Sequence, residues 1–179
     1  SGKPLPGLGN PDQQLMVYDP ASGRTGQVTQ DWTYRLAKIL STRGGEARVG
    51  MRTENCEAGK CQVITLTEGS GETRTLSQNG HTHYDPAISP DGQWVAFVSN
   101  GYGNDELVRI SRGGGDEQRL TDNGWEWDKS PSFSPDGSQI VFFSNRDGRS
   151  QIYVMKADGS EQRKLLDSPY NDVDPVWVR

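Results

Sequence analysis

The sequence predicts an all-β fold, a β-propeller of about four four-stranded antiparallel blades, and three observations predict it. A unit of about 45 residues repeats along the chain, each copy breaks into short runs separated by turn signals, and the composition is that of a chain that turns often. The segment YDPAISPDGQWVAFVSN at 84–100 is echoed by KSPSFSPDGSQIVFFSN at 129–145, with Ser-Pro-Asp-Gly at 89–92 and again at 134–137. A further copy opens in VDPVWVR at 173–179, where Pro175 follows Pro131 by 44 residues. The 22 glycines and 10 prolines among 179 residues exceed ordinary usage, and 31% hydrophobic content leaves only a thin core shared by many short elements.

The clearest copy justifies each strand in turn. The first holds Pro131 to Phe133, and Ser-Pro-Asp-Gly turns it back: proline suits the first central position, aspartate caps locally and glycine takes the positive φ. The second, Gln139 to Ser144, runs Ile-Val-Phe-Phe without alternation, which requires cover on both faces. The third, Gln151 to Lys156, ends at the hairpin signal Ala157-Asp158-Gly159. The fourth, Gln162 to Leu166, is more polar and suits an outer edge.

Two copies are blurred. LMVYDPASGRTGQVTQ at 15–30 reads as a third strand, a turn and a fourth strand. Residues 31–78 form a divergent unit: AKIL, STRGGE in place of Ser-Pro-Asp-Gly, ARVGMRT, the CEAGKC turn, QVITLT and ETRTLS. Blade starts near 39, 86, 131 and 175 are spaced 47, 45 and 44 residues apart. Residues 1–179 are therefore read as a single propeller domain with blades at 31–78, 79–121, 122–166, and 167–179 together with 1–30. A strand over Val176 to Val178 would pair beside the N-terminal strands and close the ring. The missing second strand would then come from KPLPG, whose two prolines suit a central strand poorly. An incomplete fourth blade, a fragment of a larger ring, and two chains exchanging strands as a homo-oligomer stay open beside self-closure.

The ordered series Pro-x-Phe/Ile-Ser-Pro-Asp-Gly, an apolar run ending in Phe-x-Ser or Phe-Ser, Asn-Arg-Asp-Gly and Gln-Ile-Tyr-Val-Met resembles the repeat of TolB-like β-propellers. The resemblance is strong over 81–179, partial over 15–30 and weak over 31–78. It implies an extracytoplasmic bacterial protein (periplasmic, cell-surface or secreted) with a binding role, since such propellers bind partner peptides at and near the central channel. The same repeats also gate peptidases and form some metal-dependent uronate lyases. The family builds six or more blades, so a chain of about four departs from it.

Cys56 and Cys61 bracket Glu-Ala-Gly-Lys at a hairpin tip and read as a disulfide between opposed positions, which fits an oxidising compartment. Ahead of each blade start lies an aromatic-acidic connector: DWTYR at 31–35, HTHYD at 81–85, WEWDK at 125–129 and YNDVD at 170–174. Counting three back from the blade proline gives His83, Asp128 and Asp172, with Tyr34 or Arg35 in the divergent unit. These side chains are expected to ring the channel mouth, surrounded by Trp32, Tyr84, Trp125, Trp127 and Tyr170 as a platform for peptide or sugar recognition. The plainer reading packs the aromatics between blades and lets the aspartates cap turns. Trp94 and Trp177 lie inside expected strands and read as core.

His81 and His83 are the only histidines; with Asp128 or Asp172 they could assemble a metal site, but a solvated connector accounts for them and neither metal nor cofactor is expected. No G-x-S-x-G elbow, no marked serine nucleophile and no phosphate-cradling glycine loop points to an enzyme. A net charge of −5 argues against nucleic acid, no apolar run reaches membrane-spanning length, and the opening SGKPLPGLGN lacks signal-peptide features. The expected function is a non-catalytic binding or assembly module for a protein or peptide at the channel-side connector face. The alternatives are a carbohydrate-binding propeller, a metal-dependent lyase or hydrolase using His83, and a purely structural propeller that stacks into a layer or filament.

Overall fold

The computed structural model describes residues 16–19, 22–27, 47–57, 59–78 and 80–177. The chain divides into two compact units, 1–37 and 38–179. In the first, β1 (Met16–Asp19) and β2 (Arg24–Gln27) form an antiparallel hairpin with Met16 facing Gln27 and Asp19 facing Arg24, the strand pair read from residues 15–30. Trp32, Tyr34, Arg35, the strand expected near Ile39 and the KPLPG segment lie outside the described residues.

Among the described residues the second unit holds three antiparallel sheets, each in chain order. Blade 1 comprises β3 (Ala47–Cys56), β4 (Gly59–Glu68) and β5 (Thr73–Thr75). Blade 2 comprises β6 (His83–Ile88), β7 (Trp94–Ser99), β8 (Glu106–Ser111) and β9 (Gln118–Arg119). Blade 3 comprises β10 (Asp128–Phe133), β11 (Gln139–Ser144), β12 (Gln151–Lys156) and β13 (Arg163–Lys164). No helix occurs among the described residues.

The unbroken apolar runs are explained by where alternate residues go. In blade 2, Val95 and Phe97 join Ile88, Val108 and Ile110 against Ala47, Val49, Ile64, Leu66 and Leu76 of blade 1. The intervening Ala96 and Val98 join Ala87, Leu107 and Leu120 against Phe133, Ile140, Phe142, Tyr153 and Met155 of blade 3. Blade 2 is thus covered on both faces, and no position of β7 beyond Trp94 is free to be polar except the terminal Ser99. Each fully buried side chain of the size of Phe97 contributes roughly 2–3 kcal/mol relative to exposure.

Both Ser-Pro-Asp-Gly turns close in the same way. Gly92 N donates to Ser89 O and Gly137 N to Ser134 O, each at 2.8 Å, with glycine φ of 71° and 75°. The aspartate accepts from the serine hydroxyl (2.5 Å) and from the amide two residues on (3.0 Å) in both copies. These donors draw the Asp136 carboxyl down to about 2, led by the Ser134 hydroxyl. The serine in turn accepts from the first amide of the next strand, Trp94 N and Gln139 N, so the whole tetrapeptide is a hydrogen-bonded unit.

Four sequence expectations are corrected. The inner strand of blade 3 begins at Asp128 rather than Pro131, because Asp128 and Lys129 pair with Ser144 and Phe143 before a bulge at Ser130-Pro131. Proline offers no donor to the ladder, and the residue ahead of it turns to positive φ: 54° at Asp85, 52° at Ser130 and 53° at Asp174. The outer strand expected over 162–166 is only Arg163–Lys164. Residues 171–177 form no strand, so Trp177 is not a strand residue; its ring is half-buried and its amide donates to Ser132 Oγ at 3.3 Å. Trp94 does lie in β7, but half-buried, with the Arg109 guanidinium 4.2 Å over its ring.

Candidate functional site

Connectors that run from one blade to the next share a face with the hairpins joining second and third strands, and the scaffold of that face was not foreseen from the sequence. The buried Glu106, first residue of β8, accepts from Asn123 N (2.7 Å), Asn104 Nδ2 (3.1 Å), Arg119 (3.0 Å) and the Thr121 hydroxyl. Asn104 Nδ2 also reaches Asn123 O (3.1 Å) and Glu126 O (2.7 Å). One carboxylate and one amide therefore pin the connector 121–126 onto blade 2. Gln151 stands at the corresponding position of blade 3 and holds the next connector, donating to Tyr170 O (2.7 Å) and accepting from Ser168 N (3.0 Å).

A second clamp recurs at the Ser-Asn that ends both second strands. Asn100 Oδ1 accepts from Thr82 N at 2.9 Å, and Asn145 Oδ1 accepts from Trp127 N at 2.6 Å. The repeated Ser-Asn was the sequence signal for it. In blade 3 the clamp fixes the backbone of Trp127, whose side chain is 50% exposed; Trp125 beside it is 88% exposed. The two indoles, with Asn100, Gly103, Asn104, Asp105 and Gly124, line a pocket of about 370 Å³. Lys129 sits at its edge, its ammonium 2.9 Å from Asp105 Oδ2, 4.8 Å from the Trp127 ring centre and 5.7 Å from that of Tyr84. Tyr84 is half-buried and hydrogen-bonded to Asp105; burial and that carboxylate push its phenol up. Tyr170, 75% exposed, lies on the following connector.

The residues expected to ring an open channel mouth behave differently. Asp128 is fully buried, with both carboxylate oxygens 3.0 Å from Arg146 Nη2 and a further bond from Asn123 Nδ2. His83 is buried, Nε2 bonded to Gln78 O at 3.0 Å and 3.9 Å from Glu117 Oε1, its ring edge-on to Phe97. Burial pulls its pKa down, against the Glu117 carboxylate. Asp172 is partly buried, and burial raises its pKa despite the Ser168 hydroxyl. All three occupy one repeat position; His83 and Asp128 face inward among structural partners because their inner strands begin three residues earlier than expected, whereas Asp172 lies in no strand and is only partly buried.

His83 does not fit a metal ligand: its Nε2 is engaged by a carbonyl, and its Nδ1 is buried without a partner. Among the described residues no group of three or more His, Cys, Asp or Glu is placed to hold a metal ion. Cys56 and Cys61 form a disulfide with Cα atoms 5.9 Å apart. They are diagonal rather than opposed, since Cys56 faces Gly59 and Cys61 faces Glu54.

Residues 54–178 match the family model of the TolB beta propeller domain. A structure of putative TolB from Agrobacterium tumefaciens superimposes with a TM-score of 0.62 at 22% identity, over 90% of this chain and 64% of that one. Oligogalacturonate lyase in complex with manganese superimposes with a TM-score of 0.61 at 20% identity, over 87% of this chain and 48% of that one. The uncharacterized peptidase YuxL of Bacillus subtilis is 41% identical over 39 residues, 22% of this chain and 6% of the peptidase. The chain thus spans less than two thirds of the length of each of these three proteins.

Proposed function

Given that the chain belongs to the TolB β-propeller family, we propose that it is a non-catalytic, extracytoplasmic bacterial binding module that holds a protein or peptide partner on its connector face. The observation that carries this reading is the pair Trp125 and Trp127, exposed and yet fixed from behind. Exposed tryptophans on a mobile loop would lose much of their contact energy in ordering; here Asn104, Glu106 and Asn145 have already ordered the backbone that presents them. Large, pre-positioned aromatics are the side chains that dominate protein interfaces. Tyr170 and Tyr102, the latter under the Arg119 guanidinium at 4.6 Å, extend the aromatic surface on the same face. The disulfide at the tip of β3 and β4 accords with an oxidising compartment.

Peptides selected from a displayed random library against the folded protein test the reading. Titration of the selected peptides should show about tenfold or greater weakening with Trp127→Ala and with Trp125→Ala, at little change in melting temperature. Peptides indifferent to both substitutions, or saturable binding to a glycan array in place of peptides, would overturn it.

A further inference from the structure

The connector that presents Trp125 and Trp127 carries a carboxylate between them in sequence, and the surroundings of that carboxylate bear on the charge a partner must bring. Glu126 Oε2 accepts from Trp125 N at 3.0 Å. The amides of Trp125, Glu126 and Gly124 hold the carboxyl below its usual range, the Trp125 amide most strongly, so it stands ionised at neutral pH. The backbone beneath it is fixed on both sides. Glu126 O accepts from Asn104 Nδ2 (2.7 Å), and the next amide, Trp127 N, donates to Asn145 Oδ1 (2.6 Å).

The other acids of this connector and pocket already have their cations. Asp105 Oδ2 is 2.9 Å from Lys129 Nζ, Asp122 Oδ1 is 2.8 Å from Arg119 Nη2, and Asp128 is held by Arg146 Nη2 at 3.0 Å. Glu126 has none: among the described residues no lysine, arginine or histidine lies within ion-pair distance of it. Arg146 acts on it only from farther off and is committed to both oxygens of Asp128. The indole next to this carboxylate is equally open. Trp127 carries the Lys129 ammonium 4.8 Å from its ring centre, whereas among the described residues no cation and no aromatic ring stands against Trp125.

We propose that the partner held on this face presents an arginine, whose guanidinium lies on the Trp125 indole and pairs with the Glu126 carboxylate. The inference rests on the reading of the connector face as a peptide-binding surface and names the chemistry that surface selects. A carboxylate offers about four acceptor positions, so Glu126 keeps room for a donor from outside while its amide bonds hold it in place. A guanidinium suits both surfaces at once, since it is planar, stacks on an aromatic face and donates through a fork to a carboxylate; an ammonium pairs as a point charge and does not stack. An acidic partner group would meet the Glu126 charge with no cation beside it and is turned away. Because both groups are open to solvent, the contact adds selectivity more than strength.

The test selects the displayed random library against the folded protein and, in parallel, against Glu126→Gln. That variant keeps an oxygen for the Trp125 amide and should melt within about 2 °C of wild type. The wild-type pool should be enriched in arginine and the Glu126→Gln pool should not. The strongest arginine peptide is then synthesised with arginine, lysine or citrulline at that position, citrulline having the same shape without the charge. Citrulline should bind wild type about five- to tenfold more weakly than arginine, and Glu126→Gln less than about threefold more weakly. Trp125→Ala should erase the preference for arginine over lysine. Peptides that need Trp125 and Trp127 but show no arginine enrichment, or lysine or citrulline binding as well as arginine, would overturn the proposal and leave the peptide-binding reading standing. If no selected peptide depends on either tryptophan, that reading fails and the proposal falls with it.

Discussion

Replacing Asp128 by alanine should unfold the protein more readily rather than weaken a surface contact. The carboxylate is fully buried and its partner Arg146 about one-fifth exposed. Removing one member of a buried pair costs about 3–5 kcal/mol when the survivor stays dry. Arg146 can recover part of its hydration and keeps bonds to Ser144 Oγ (2.9 Å) and Gln162 Oε1 (2.8 Å), which lowers the expected loss to about 2–3 kcal/mol. For a chain of this length that corresponds to roughly 5–10 °C in melting temperature. Thermal and urea unfolding of wild type, Asp128→Ala, Arg146→Met and the double variant would measure it, the cycle isolating the pair. A melting temperature within about 2 °C of wild type for Asp128→Ala, with partner binding reduced, would refute the structural role and restore the channel-mouth role inferred from the sequence.

The His83 imidazole is held below its ordinary value of 6.5 by burial, so between pH 7 and 5 the unfolded chain binds more protons than the folded one. Stability should be full above about pH 6.5 and decline as the pH falls through the folded pKa, and His83→Gln should flatten that decline in urea titrations taken at each pH. Loss of the Cys56–Cys61 bond by a double serine substitution should lower stability by about 2 kcal/mol at most, because the closed loop is so short, and calorimetry would read it. Asn104→Ala should release the connector at 123–126, speeding amide exchange there and weakening partner peptides about tenfold, while costing about 1 kcal/mol of global stability.

The repeat made most of the fold legible. Ser-Pro-Asp-Gly located two turns, and the unbroken Gln139–Ser144 run announced a strand covered on both faces; the equivalent strand β7 is packed so, while β11 packs Ile140 and Phe142 against blade 2 and leaves Phe143 half-buried. Strand ends were less legible, since they depend on pairing rather than on composition: Asp128 and Lys129 are polar and yet extend β10. The exposed aromatics Trp125, Trp127 and Tyr170 were visible as a connector pattern. The inward turn of His83 and Asp128 was not, because it follows from the bulge at the blade proline, and a proline in sequence reports a missing donor without saying which way its neighbours face. Asn104, Glu106 and Gln151 carry no sequence signal of their own; their role exists only once the next connector lies above them.

Fluorine NMR of protein labelled with 5-fluorotryptophan tests the recognition face most directly, with each resonance assigned by substitution. On titration with a selected partner peptide, the Trp125 and Trp127 resonances should shift together with one affinity while that of Trp94 stays in place. Shifts at Trp94 with Trp125 and Trp127 unmoved would contradict a partner held on the connector face.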